Sequence, residues 1–360
     1  MPLISVVIPV YNGAKTIQET IESVLNQTFT DFEIIVVDDG SQDNTLEVIS
    51  TIPDPRIQVI QRAHAGANAA RNCGLHHSSG EYVSFLDADD LWTPNKLQAQ
   101  FQALQKHPEA AVAYSWTDRI DEQGNYLRQG GHLSVSGHVL AELLIANFIE
   151  NGSNPLIARQ AAIAVGGFDE TLTACQDWDM WLKLAFRYQF AAVPESQVLY
   201  RLSTNSISSN VLALEAACRK VIDRAYNQVP ASLQHLRKYS LGNVYKYLTF
   251  KAFECYPDRG KGLAAARFLL HVIINDPSML KVDVIWKVLL KILITTLLSP
   301  QQAWAMLNRY KKSTDLNELL CNIRVNFAEL IQPQPVSTLS VSTMAVVLPP
   351  QSKHSCEGRL

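Results

Sequence analysis

The 360-residue sequence has little charge: Asp, Glu, Lys and Arg make up 18% of it and the net charge is −3. Without a global basic field the chain is not a general nucleic-acid binder, because such binding needs Lys and Arg to displace counterions from a phosphate backbone. Partners carrying isolated phosphates stay open. The six cysteines, Cys73, Cys175, Cys218, Cys255, Cys321 and Cys356, are far apart and form no Cys-x-x-Cys pair. That spacing excludes the usual zinc and dithiol readings and leaves free thiols of a reducing compartment as the expectation. No basic run precedes the first apolar stretch and no small-residue cleavage site follows it, so no signal peptide is expected and the cytoplasm is the expected location. The sequons at Asn26 and Asn151 then carry no meaning. Also lacking are a set of apolar spans of ~20 residues and a fixed-period repeat strong enough to name a solenoid, although the helix pairs around Pro257 and Pro277 faintly suggest helical hairpins.

What is present begins at Tyr82-Val83-Ser84-Phe85-Leu86-Asp87-Ala88-Asp89-Asp90. The apolar start suits a buried strand, and three carboxylates within four positions end it, since a continuing strand would bury unpaired charge. In an open parallel sheet the carboxyl ends of strands face the ligand crevice, where such carboxylates are placed to hold a divalent cation against a phosphate. The competing reading is a helix N-cap, because Asp89 and Asp90 precede Leu91-Trp92-Thr93-Pro94 and an expected helix. These residues alone leave the two readings level.

The chain, at 47% hydrophobic, is long enough for two domains or one large domain with an appended helical piece. Strands are expected at 3–10, 32–37, 57–61, 82–86 and 111–116. Helical spacing appears at Ile17, Ile21, Val24 and Leu25, at 43–50, at 66–75, and after Pro94 at Leu97, Phe101 and Leu104. This alternation implies an α/β fold with a mostly parallel sheet and helices on both faces. After Trp116 the alternation breaks. A hairpin is expected around Gly124, a short helix at 139–146, polar loops at 151–155 and 166–170, a helix at 176–188, and two short strands at 191–193 and 198–200. Beyond about residue 213 the pattern is helical. From 332 it is rich in Pro, Ser and Thr without periodicity, which reads as disorder.

Five motifs in order then carry a likeness. Val6-Val7-Ile8-Pro9-Val10-Tyr11-Asn12, Val36-Val37-Asp38-Asp39-Gly40-Ser41 with Asp43 and Thr45, Ala70-Arg71-Asn72-Cys73-Gly74, residues 85–90, and Gln176-Asp177-Trp178 resemble the family 2 glycosyltransferases across 3 to about 206. The resemblance implies the glycosyltransferase A-type fold, with a catalytic domain over 1–212 divided into a nucleotide-sugar half, 1–117, and an acceptor half, 118–212. A helical region, 213–331, and a tail, 332–360, would follow. It implies an inverting hexosyl transfer from a nucleoside-diphosphate sugar, a UDP-sugar, to a glycan or lipid-linked acceptor in cell-surface polysaccharide synthesis. Mg²⁺ or Mn²⁺ would assist, since an ion bridging carboxylate and phosphate oxygens absorbs charge on the departing diphosphate. By resemblance Asp89 is the direct metal ligand and Asp87 meets ribose or a metal-bound water, leaving Asp90 as the helix cap. Asp39 accepts the uracil N–H, Tyr11 packs on the base beside Pro9, Arg71 lies near the nucleotide, and Asn72 fixes a loop. Asp177 matches the base that takes the acceptor proton, against a plain N-cap reading.

The chain departs from the family pattern in three places. Gln176 stands where relatives usually have Glu. After Tyr200-Arg201 the sequence reads Leu202-Ser203-Thr204-Asn205, without the His that many relatives place near the diphosphate. Arg201 is the candidate for that electrostatic role, against the reading of a solvated arginine at a strand end. No Gln-x-x-Arg-Trp occurs, so addition of a single sugar fits better than processive synthesis. The rivals are a nucleotidyltransferase-like enzyme, which needs no base at Asp177, and a catalytically silent scaffold, against which Asp39, Asp89 and Asp177 stand together.

Residues 259–312 carry nine Lys and Arg against two Asp, a net of +7 in a chain whose total is −3. Within them Asp283, Lys287, Lys291 and Thr295 form a narrow polar stripe on an otherwise apolar helix. A bundle helix showing that polar edge to water is preferred, and a helix lying on a membrane surface is the alternative. Two mid-run lysines and Pro300 argue against a span.

Overall fold

The computed structural model describes residues 1–202, 210–254 and 256–310, with Leu316, Leu319 and Leu320. The tail expected from 332, the stretch 203–205, and Cys255, Cys321 and Cys356 lie outside the described residues. β1 (Ile4–Val10) is buried along its whole length because both of its faces are covered. Val6, Ile8 and Val10 pack with α1 (Ile17–Leu25), while Val7 on the other face packs with β2 (Phe32–Asp38) residues Ile35 and Val37. This is the continuous apolar run expected of a central parallel strand.

The chain continues through α2 (Thr45–Ser50), β3 (Ile57–Gln61), α3 (Ala67–His77) and β4 (Tyr82–Phe85). Here β1, β2, β3 and β4 are all parallel in the order β3-β2-β1-β4, so their carboxyl ends share one edge. Pro9 fits inside β1 because its nitrogen faces the β4 side, where the ladder has already ended at the Val7–Phe85 pair. Gly74 is equally constrained: a Cβ there would lie 2.2 Å from Val7 Cγ1, so α3 reaches the sheet only without a side chain at this position. Gly74→Ala is expected to cost about 1–3 kcal/mol by overpacking. Urea denaturation checks this, and an unchanged midpoint would refute the close approach.

The second half departs further from the sequence pattern. After β5 (Leu91–Trp92), α4 (Lys96–Lys106), β6 (Ala110–Ile120), β7 (Tyr126–Gln129) and α5 (Leu140–Ile145) comes β8 (Leu156–Ala158), then α6 (Arg159–Ala164), α7 (Gln176–Ala185) and β9 (Gln189–Arg201). The hairpin around Gly124 forms as β6–β7. β8, unanticipated, lies antiparallel between β4 and β6, joining the two halves into one nine-stranded sheet among the described residues. The two short strands expected at 191–193 and 198–200 are one strand, β9, because its long parallel ladder with β6 accommodates register shifts near Trp116 without breaking. By ladder length the sheet is mostly parallel, and helices cover both faces.

α8 (Val211–Tyr226), α9 (Arg237–Ala252), α10 (Arg259–Asn275), α11 (Val284–Leu297) and α12 (Pro300–Arg309) follow. One apolar cluster runs from α5 and α7 through Val221 and Leu248 to Phe268 and Val288, and Ser240 donates to the Leu144 carbonyl at 2.6 Å. The buried face of α11 is apolar, with Val284, Ile285, Val288 and Ile292, as a bundle helix requires. Its polar stripe is not what faces water most: Asp283 is exposed and the stripe residues after it are less so. Thr295 is buried and Lys287 and Lys291 are half-buried, the Lys291 ammonium lying 5.6 Å from the Phe253 ring centroid. It is the apolar residues Trp286, Leu293 and Leu297 that face solvent. A stripe pattern defines two faces of a helix but not which of them meets the neighbouring helices.

Candidate active site

β1, β2 and β4 deliver their carboxyl ends side by side, and the turns beyond them are laced together. The backbone N–H groups of Asn12, Gly13 and Ala14 donate to Ser41 Oγ, Thr45 Oγ1 and the Asp43 carboxylate. Gly40 has φ +81°, and a Cβ there would sit 3.1 Å from the His64 nitrogen, which is why Asp-Gly-Ser follows β2.

Asp39 is nearly fully buried. Its carboxylate accepts from the backbone N–H groups of Ala65 and Gly66 and pairs with Arg62 Nε at 3.2 Å and His64 Nδ1 at 2.9 Å. Tyr11 is 44% exposed, with its ring 4.2 Å from that of His64. His64 was not singled out from the sequence, since nothing local links it to residues 25 and 53 positions away.

Arg71, on α3, is buried and pairs with Asp87 at 2.5 Å, while its NH1 donates to Asn68 Oδ1. Its Nε is buried without a hydrogen-bond partner, an uncommon cost that an anionic ligand would relieve. Gly152 closes this corner, and a Cβ on it would approach Arg71 NH2 and Asp87 Oδ2 to about 4 Å. Asn72 instead fixes the loop at 166–170, exchanging hydrogen bonds with the Phe168 backbone at 2.9 Å.

The three carboxylates after β4 separate in role. Asp90 is not the cap of a helix: Leu91 and Trp92 form β5, and α4 begins only at Lys96 with Asn95 as its N-cap. Asp90 is fully buried and accepts from Ser153 Oγ and the Arg201 backbone N–H, and burial raises its proton affinity well above the carboxylate range. Asp87 and Asp89 remain at the crevice. Burial, then the Asp87 charge, pushes the Asp89 pKa up to about 6. A site that disfavours its own second negative charge is one that a cation would stabilise. Hard oxygen donors suit Mg²⁺ or Mn²⁺, but two carboxylates are a partial shell, and no cluster of three or more His, Cys, Asp or Glu with metal-holding geometry occurs among the described residues.

Arg201 ends β9 with its donors committed. Nε reaches the Asp89 carbonyl at 2.7 Å, NH1 the carbonyls of Asp121 and Glu122, and NH2 the Glu19 carboxylate. It clamps the loop that carries Asp89.

Asp177 sits in the first turn of α7, one residue after Gln176, and Cys175 before them has left-handed φ 57°. Burial raises the Asp177 pKa, against the charge of Arg71 and a hydrogen bond from Asn147 Nδ2 at 3.1 Å, while the Asp87 charge raises it. Arg71 and Asp87 acting on Asp177 mark one electrostatic site built from α3, β4 and α7. Asn147 is the second residue missed, from a segment that carried no motif. Because its N–H stabilises the ionised carboxylate, Asn147→Ala is expected to move the acid limb of the rate profile to higher pH. A limb that stays in place would sever this contact from the chemistry. Cys175 and Cys218, expected as free thiols, are free, their sulfurs 2.7 Å apart.

Residues 5–252 match the family model described as "Glycosyltransferase like family 2". An uncharacterized glycosyltransferase of Rickettsia felis is 34% identical over 188 residues, 51% of this chain and 31% of that protein. A chondroitin synthase of Escherichia coli is 31% identical over 188 residues, 51% of this chain and 27% of its own length. This chain thus spans about a third or less of those relatives. Among solved structures, a mannosyltransferase of Pyrobaculum calidifontis in complex with GDP-Man and Mn²⁺ superposes with a TM-score of 0.54 at 19% identity, covering 89% of this chain and 86% of that one. Residues 1–349 of S. aureus TarS in complex with UDP-GlcNAc give 0.50 at 18% identity, with 89% and 90% covered. At such identities the likeness is one of fold.

Proposed function

The chain belongs to the family 2 glycosyltransferases, and from that premise we propose that it moves one sugar from a UDP-sugar to a glycan or lipid-linked acceptor with inversion. The observation that carries this reading is the convergence of Asp87 and Asp89, Arg71 and Asp177 at the carboxyl edge of the sheet. The acceptor hydroxyl attacks the anomeric carbon opposite the diphosphate, its proton passes to Asp177 Oδ, and the bond from carbon to phosphate oxygen breaks to free UDP. Burial raises the basicity of Asp177 toward that task. Asp89, with Asp87, would hold Mg²⁺ or Mn²⁺, which when bound neutralises charge on the leaving diphosphate. Arg71 adds positive charge beside them, and its unpartnered Nε has a donor to give.

The base lies over Tyr11 at the end of β1, next to Pro9. Asp39 takes the uracil N–H by releasing one present partner, and His64, with 56% of its side chain exposed, is the one able to swing away. A lipid-linked acceptor lies at a membrane, so peripheral contact through 259–312 belongs to the same reading, as does a place in cell-surface polysaccharide synthesis. Incubation with UDP-sugars and candidate acceptors tests it: free UDP is expected, whereas pyrophosphate would indicate nucleotidyl transfer and no product a silent fold.

A further inference from the structure

Folding leaves much of the apolar surface of the C-terminal helices in water. On α11, Trp286 is 68% exposed, Leu293 55% and Leu297 77%, a stripe at helical spacing, and Ile274 on α10 and Trp304 on α12 add 64% and 46%. Single exposed leucines need no explanation, but a stripe along α11, on a helix packed against both α10 and α12, which carry exposed apolar side chains of their own, is more than scattered exposure. Between 259 and 310 the same helices hold seven Lys and Arg against two Asp, with Arg259, Lys281 and Arg309 exposed.

We propose that this apolar face of α10–α12 is where the protein lies on a membrane, and that the lipid surface it selects is anionic. Leucine and tryptophan side chains enter the boundary between headgroups and acyl chains, while the basic groups meet lipid phosphates. A second copy is a poor occupant, because a symmetric contact through these helices would bring together two surfaces of the same net positive charge. Crossing the bilayer is excluded for these helices. α11 has 14 residues, about 21 Å of helix against a hydrocarbon core of about 30 Å. No helix among the described residues is long and apolar enough to cross. The inference rests on the proposed glycosyl transfer only for its purpose, delivery of the site to a lipid-linked acceptor.

Flotation of the full chain with phosphatidylcholine vesicles, with and without phosphatidylglycerol, tests the surface. The chain is expected to float with the anionic vesicles at low salt, to release as salt rises, and to stay down with phosphatidylcholine alone. Leu293→Glu with Leu297→Glu is expected to lower partitioning at least about tenfold. Lys281→Glu with Arg309→Glu should do so for anionic vesicles only. Both variants should keep the wild-type melting temperature and UDP release with a soluble acceptor. Wild-type chain that stays down at low salt, or a Leu293→Glu/Leu297→Glu protein that floats normally, overturns the proposal. So does a dimer that the same pair of substitutions dissolves, which would make a second copy the occupant. Flotation without turnover of any UDP-sugar would leave the membrane face standing and remove the transfer reading instead.

Discussion

Asp177→Asn is expected to lower sugar transfer by roughly two to four powers of ten while leaving UDP binding intact. The substitution removes the group to which the proposed reaction assigns the acceptor proton and which burial makes more basic. It keeps the shape of the side chain, and Asp177 is not the N-cap of α7, a position that Cys175 holds. The stability effect has a definite sign. The folded pKa of Asp177 is raised, so its ionised form costs the folded state something at neutral pH, and Asn relieves that cost. The melting temperature should therefore hold or rise slightly. Steady-state UDP release and a thermal melt on the same preparation decide the matter. Near-normal transfer with unchanged stability would take Asp177 out of the mechanism.

Asp89→Asn should abolish the part of UDP binding that depends on Mn²⁺ or Mg²⁺, because it deletes the proposed bridge between protein and diphosphate. The same change should stabilise the metal-free protein near pH 7–8. With its pKa at about 6 instead of 3.8, Asp89 holds extra proton in the folded state between those values, so stability falls as pH rises through that window. Above it the ionised carboxylate costs the fold on the order of 1–2 kcal/mol, allowing for coupling to Asp87. Below about pH 4 the variant and wild type should melt alike. Titration calorimetry with UDP, with and without Mn²⁺, together with melts across pH, reads both effects. Equal UDP binding with and without Mn²⁺ in wild-type protein, or an Asp89→Asn protein that still gains affinity from Mn²⁺, would defeat the metal assignment.

The first four strands and their helices were legible because apolar runs and helical spacing are local properties. Val6 to Val10 and Ile34 to Val37 can hardly be anything but strands covered on both sides, and the acids after β2 and β4 mark where burial must stop. The positions of Asp39, Asp87, Asp89 and Asp177 followed from the motifs. Their company did not, since it is made by residues far away in the chain: Asn147 reaches Asp177, Ser153 reaches Asp90, and Arg201 reaches across from β9 to Asp89 and Glu19.

By itself the sequence determined an alternating α/β nucleotide half, the carboxylates at its strand ends, and a basic, apolar C-terminal helical region. The tertiary structure alone decided that three residues, Leu156 to Ala158, join the two halves of the sheet, for β8 is too short to show a period. It decided that the polar loop before β8 is buried, with Asn154 satisfying the Ser115 backbone through both ends of its amide. It also left Lys287 and Lys291 of α11 half-buried and Trp286 and Leu297 in water. Periodicity defines the faces of an element within a few residues, whereas which face is covered depends on partners distant in sequence, and no local pattern encodes them.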